Sequence, residues 1–156
     1  MTLSDLQVAA AKLVLKLCDT DALRLTAGHL VREGYDSASL RRLVDMPTSD
    51  PDVVEARLKE ALEDSGLSLP TRREAVILVA KELSQQILSG KLGPIDGAQA
   101  IWRASIDVDA EYPELSTFLF AALEFEDRQD ERPMFEKAIL KAAKDLVELP
   151  VVSKPK

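Results

Sequence analysis

Thr71-Arg72-Arg73-Glu74-Ala75-Val76-Ile77-Leu78-Val79-Ala80-Lys81-Glu82-Leu83-Ser84-Gln85-Gln86-Ile87-Leu88-Ser89-Gly90 carries a start signal, a period and a stop signal in one run. Thr71 and Glu74 stand three apart, the spacing at which each side chain can satisfy the other's backbone N–H in a capping box. Val76, Val79, Leu83 and Ile87 recur at helical intervals, and Gly90 suits the left-handed position that closes a helix. The same grammar extends in both directions. Downstream, Gly93-Pro94 opens a helix holding Ile101 and Trp102, Pro113 opens another, and Pro133 opens one with Phe135, Ile139, Ala142 and Leu146. Upstream, Asp50-Pro51 heads a helix that ends at Gly66, and Asp36 or Ser37 caps a short one with Leu40 and Leu43, stopped by Pro47. Thr20 starts a helix with Leu23, Ala27, Leu30 and Val31, ended by Gly34. Ser4 and Gln7 form a capping box before two stripes, Leu6, Ala10, Leu13, Leu17 and Val8, Ala11, Leu15. No segment alternates with a period of two. The expectation is an all-α fold: a single irregular, orthogonal-type bundle of seven to eight short helices over residues 1–149, with a flexible tail at 150–156. Asp45–Asp52, the least apolar internal connection, is the candidate hinge.

With 156 residues, 46% apolar and 30% charged, the chain has the composition of a folded domain. Its single cysteine, Cys18, cannot form an internal disulfide, which favours a reducing, cytoplasmic setting. Asp5, Lys12 and Lys16 break up the apolar start, so it does not resemble a signal peptide, and no apolar run approaches bilayer length. A net charge of −7 argues against nucleic acid and anionic membranes as partners.

Enzymatic chemistry finds little to work with. His29 and Cys18 are the only residues of their kinds, no G-x-S-x-G elbow exists, and a zinc site built on the pair would lack ligands. Neither glycine-rich phosphate motif is present, and Gly90 in Ser89–Gly93 is accounted for as a helix stop. Asp107-Val108-Asp109-Ala110-Glu111 alternates carboxylates like a calcium loop, but Tyr112 and Phe118 stand where that loop needs glycine and glutamate. Glu124, Glu126 and Asp127 could supply an acid–base pair, yet nothing marks any of them as desolvated. No catalytic residue, cofactor or metal ligand is therefore assigned, and the chain is expected not to be an enzyme.

Contact with a partner is the better prospect. Between Asp107 and Glu136, ten carboxylates face only Arg128 and Arg132, leaving −8, and the stretch holds five of the seven Phe and Tyr/Trp rings. Charge steers an encounter and buried rings hold it. The residues assigned to partner binding are Trp102, Asp107, Asp109, Glu111, Tyr112, Glu114, Glu124, Phe125, Glu126, Asp127, Asp130 and Glu131. The run 118–123 is apolar all round, so its helix is either central in the core or offers a second face outward. Against an open acidic face, Lys137, Lys141 and Lys144 could turn toward the acids of 124–131 in a helical hairpin. The leading expectation is a non-enzymatic module, immunity- or adaptor-type, docking a basic protein such as a nuclease toxin. The alternatives are a self-associating homodimer and a helix-turn-helix regulator.

Two resemblances follow from short motifs. Gly97-Ala98-Gln99-Ala100-Ile101-Trp102, followed by Leu123-Glu124-Phe125-Glu126-Asp127, resembles small all-helical bacterial proteins of uncharacterised function, which implies an all-α fold and no activity. Glu33-Gly34-Tyr35-Asp36-Ser37-Ala38-Ser39-Leu40-Arg41 resembles the opening of the helix-turn-helix in tetracycline-repressor-type regulators. Where that family carries a basic or polar recognition helix, this chain offers Asp50-Pro51-Asp52-Val53-Val54-Glu55, which repels phosphate.

Overall fold

A computed structural model describes residues 3–17, 20–35, 37–46, 50–106, 108 and 110–149. Among them are eight α-helices and no strand: α1 (Leu3–Val14), α2 (Thr20–Arg32), α3 (Ala38–Val44), α4 (Pro51–Asp64), α5 (Arg72–Leu88), α6 (Pro94–Ser105), α7 (Ser116–Glu124) and α8 (Arg132–Glu148). Short 3-10 turns at Pro113–Leu115, Phe125–Asp127 and Gln129–Glu131 flank α7. The fold is all-α, as the capping grammar predicted. Thr71 and Glu74 exchange both bonds of the capping box, at 2.9 and 3.1 Å. Ser37 accepts from the Leu40 N–H, and Asp50 from the Asp52 N–H, so both predicted N-caps function as such. The predicted roles of Cys18, Asp36 and Pro47 and the 150–156 tail lie outside the described residues, as do the side chains of Ser4 and Thr20.

The described residues fall into two compact units, Met1–Ala75 and Val76–Lys156, and the division lies within α5, not in the Asp45–Asp52 connection. In the first unit α1 packs on α2 and α4, α2 on α3, and α3 on α4. Leu6, Ala10, Leu23, Leu30, Leu43, Leu58 and Leu62 are buried completely, a stripe from each helix. Each large apolar side chain so buried contributes about 1.5–3 kcal/mol. Ser39, also buried, donates to Asp64 and accepts from Arg42, which ties α3 to the end of α4.

Helix ends in this unit differ in one informative way. Gly34 and Gly66 close α2 and α4 at positive φ, with the paired backbone bonds of a Schellman motif. At the end of α1 the same bonds form (Lys16 N–H to Leu13 O, Leu17 N–H to Lys12 O), but the left-handed residue is Lys16, at φ 61°. Periodicity suggested that α1 continues to Leu17. It stops at Val14 because this motif unwinds the chain, and Leu17 is exposed. A Cβ in that conformation is strained, so Lys16→Gly is expected to raise unfolding free energy by about 0.5–1 kcal/mol, measurable by urea titration.

In the second unit α6 packs on α7 and α8, and α7 on α8. Ile101, Leu115, Phe118 and Ile139 are fully buried, joined by Phe135 and Leu146. Gly97 lets α6 approach Ile87 of α5 closely. Lys81 on α5 donates to the Leu149 carbonyl just past α8, where the negative end of the helix favours a cation. Burial holds its ammonium below the ordinary lysine range.

Candidate acidic and aromatic docking face

α7 is buried through Phe118 and Ala121 and shows its other side to water. Phe120 is 52% exposed and Leu123 58%, three residues apart on one face. The apolar run 118–123 favours a place in the core; Phe118 and Ala121 take it, whereas Phe120 and Leu123 face outward. Phe120 leans on Phe135 of α8, ring centroids 6.2 Å apart, and Phe125 meets Phe135 edge-on at 6.3 Å and 83°. The guanidinium of Arg132 lies 5.6 Å from the centre of the Phe125 ring. These four side chains form the corner where α7 passes through its 3-10 turns into α8.

Charge at that corner is only partly matched. Arg128 sits between the two turns and pairs with Glu124 at 3.7 Å and Glu131 at 3.8 Å. Arg132 pairs with Glu136 at 3.0 Å. Glu126, Asp127 and Asp130 are exposed and, among the described residues, enter no ion pair. The basic stripe of α8 does not quench them. Lys141 pairs with Asp145 along its own helix at 3.2 Å, and no ion pair joins Lys137 or Lys144 to these acids. Glu126 and Asp127 also follow the carboxyl end of α7, where the helix macrodipole is already negative.

The twelve residues assigned from the sequence separate into four groups. Glu124, Phe125, Glu126, Asp127, Asp130 and Glu131 come together at the corner, with Phe125 half-buried. Glu111 and Glu114 are exposed before α7, and Trp102 is half-buried on α6. Tyr112 is corrected: it is 7% exposed, an interior side chain ahead of the 3-10 turn at Pro113, and cannot line an outer face. Asp107 and Asp109 lie outside the described residues. Phe120, Leu123 and Arg132 were missed as members of the face. The all-apolar run 118–123 was the only signal for Phe120 and Leu123, and it does not say which side points out.

Elsewhere, His29 is half-buried on α2, its Nδ1 3.1 Å from Arg32. Among the described residues no three of His, Cys, Asp and Glu gather as metal ligands, and no helix is long and apolar enough to cross a membrane. Asp52, Val53 and Glu55 are exposed at the amino end of α4, where a regulator of the helix-turn-helix kind would need cations. An open depression of about 480 Å³ runs along α4, bordered by Asp52, Val53, Arg57 and Glu60 among others. No family model matches the sequence, and neither a curated protein nor a solved structure gives a match.

Proposed function

We propose that this chain is a non-enzymatic binding module, of immunity or adaptor type, that captures a basic protein through the α7–α8 corner. The observation that supports it is one coincidence: unpaired, exposed Glu126, Asp127 and Asp130 beside Phe120 and Leu123, large apolar side chains left in water. Carboxylates of this kind accelerate the encounter with a cation-rich surface, and desolvated apolar groups then slow its departure. Stability alone does not account for the arrangement. Carboxylates at the carboxyl end of α7 oppose its dipole, so replacing Glu126 and Asp127 by their amides should leave folding unchanged or improved.

The test uses a defined probe, a synthetic amphipathic helix of leucine and lysine. Reversing Glu126, Asp127 and Asp130 to lysine is expected to weaken its binding roughly tenfold at low salt, chiefly through slower association. Reversing Asp21, Glu55 and Glu63, exposed acids of the first unit, makes the same change in charge and serves as the control. Equal losses in the two variants would remove the proposal, since net charge alone would then explain binding.

Phe120 and Leu123 also favour a second reading, a homodimer formed through the same apolar side chains. The two are separated by salt. Two copies at −7 each repel, so added salt tightens self-association, whereas it loosens capture of a basic probe. Sedimentation at low and high ionic strength distinguishes them.

A further inference from the structure

The proposed docking corner already holds a basic group of its own. Arg132 occupies the first position of α8, where a cation meets the positive end of the helix dipole, so the dipole gives no reason for it. Its side chain is more than half exposed and makes two contacts: the face of the Phe125 ring, and a 3.0 Å bond from Nε to Glu136 Oε2. Exposed contacts of both kinds are weak and readily exchanged.

We propose that Phe125 and Glu136 form a seat for an arginine of the partner, filled in the free protein by the chain's own Arg132. The inference rests on the docking reading above and adds the identity of the recognised group. A planar guanidinium both stacks on a ring and bonds a carboxylate in its plane, whereas a lysine ammonium is a compact, strongly hydrated charge that does the first poorly. The ring is held ready, because Phe125 packs edge-on against buried Phe135 and thereby keeps a face for the cation. Glu126, Asp127 and Asp130 supply the field that draws in a second cation, and Arg128 stays engaged with Glu124 and Glu131. Incoming arginine then exchanges one guanidinium for another at almost no cost. Arg132 acts as a built-in competitor: it lowers affinity for every basic ligand and penalises most those that cannot replace its contact with the ring.

Two amphipathic helices of equal length, one of leucine and lysine and one of leucine and arginine, serve as probes in fluorescence titrations with the full chain. Arg132→Gln is expected to tighten the arginine peptide roughly two- to fivefold more than the lysine peptide. Arg128→Gln removes the same charge without vacating the ring and should tighten both peptides alike. Adding Phe125→Leu to Arg132→Gln should abolish the preference for arginine. Equal effects of Arg132→Gln and Arg128→Gln on both peptides overturn the seat, even where the triple charge reversal still weakens binding and the docking face stands. If that reversal has no effect while Arg132→Gln still selects arginine, the seat stands and the wider docking face falls.

Discussion

Gly97→Ala is expected to lower the stability of the chain by about 2 kcal/mol, read as a lower urea midpoint with little change in slope. The direction runs against propensity, for alanine is about 1 kcal/mol better than glycine inside a helix. Packing decides it. A Cβ built on Gly97 lies 2.4 Å from Cδ1 and 2.5 Å from Cγ1 of Ile87, and 3.4 Å from Leu92. Ile87 is itself buried and β-branched, so its inner carbon cannot swing aside without leaving its rotamer. Overpacking of this kind costs about 1–3 kcal/mol and more where backbone must shift, which outweighs the gain in propensity. A double-mutant cycle isolates the cause. Ile87→Ala removes both carbons that Cβ would strike, so in that background Gly97→Ala should become neutral or favourable, a coupling of about 2 kcal/mol or more. A tolerated Gly97→Ala in the intact chain would show that α5 and α6 can separate freely at this crossing.

Gly97 also marks the limit of what a single sequence discloses. It was legible as part of a short helical motif and as nothing more, because close approach depends on a residue ten positions away whose orientation only packing fixes. The capping box at Thr71, the caps at Ser37 and Asp50 and the first-turn prolines were legible, since each satisfies backbone groups within a few residues of itself. The end of α1 was not. A lysine in the left-handed conformation has no sequence signature, whereas Gly34 and Gly66 do. The acids of 124–131 could be placed on a helix corner from prolines and polarity alone. Tyr112 could not, because an aromatic beside exposed glutamates satisfies either side of a surface, and of the 3-10 turn that follows only Leu115 is buried with it. The outer face of α7 belongs with these. An all-apolar run names a helix with two apolar sides, and only its neighbours determine which side remains in water.

Ser84→Ala is expected to raise stability by about 1.5 kcal/mol, enough to move Tm upward by roughly 3–6 °C in a chain of this length. Ser84 lies in α5 with no exposed surface, and among the described residues its hydroxyl has no hydrogen-bond partner. Other hydroxyls on these helices behave differently. Ser65 and Thr26 bond the carbonyl four residues back at 3.2 Å, and Ser105 the one three residues back at 2.8 Å. Ser84 has the Ala80 carbonyl at the corresponding position and makes no such bond, so its polar group is removed from water without recompense. Protein substitutions place that penalty at about 1–3 kcal/mol. Alanine is also the better helix former, by about 0.5 kcal/mol. Opposing both is the space vacated by a single oxygen atom, small beside the losses that accompany removal of whole side chains. Ser84→Thr provides the contrasting variant, since it keeps the hydroxyl and adds a methyl to a closed site, and should destabilise. If alanine instead weakened the fold, the hydroxyl would have to be satisfied, and α5 would owe part of its position to that bond.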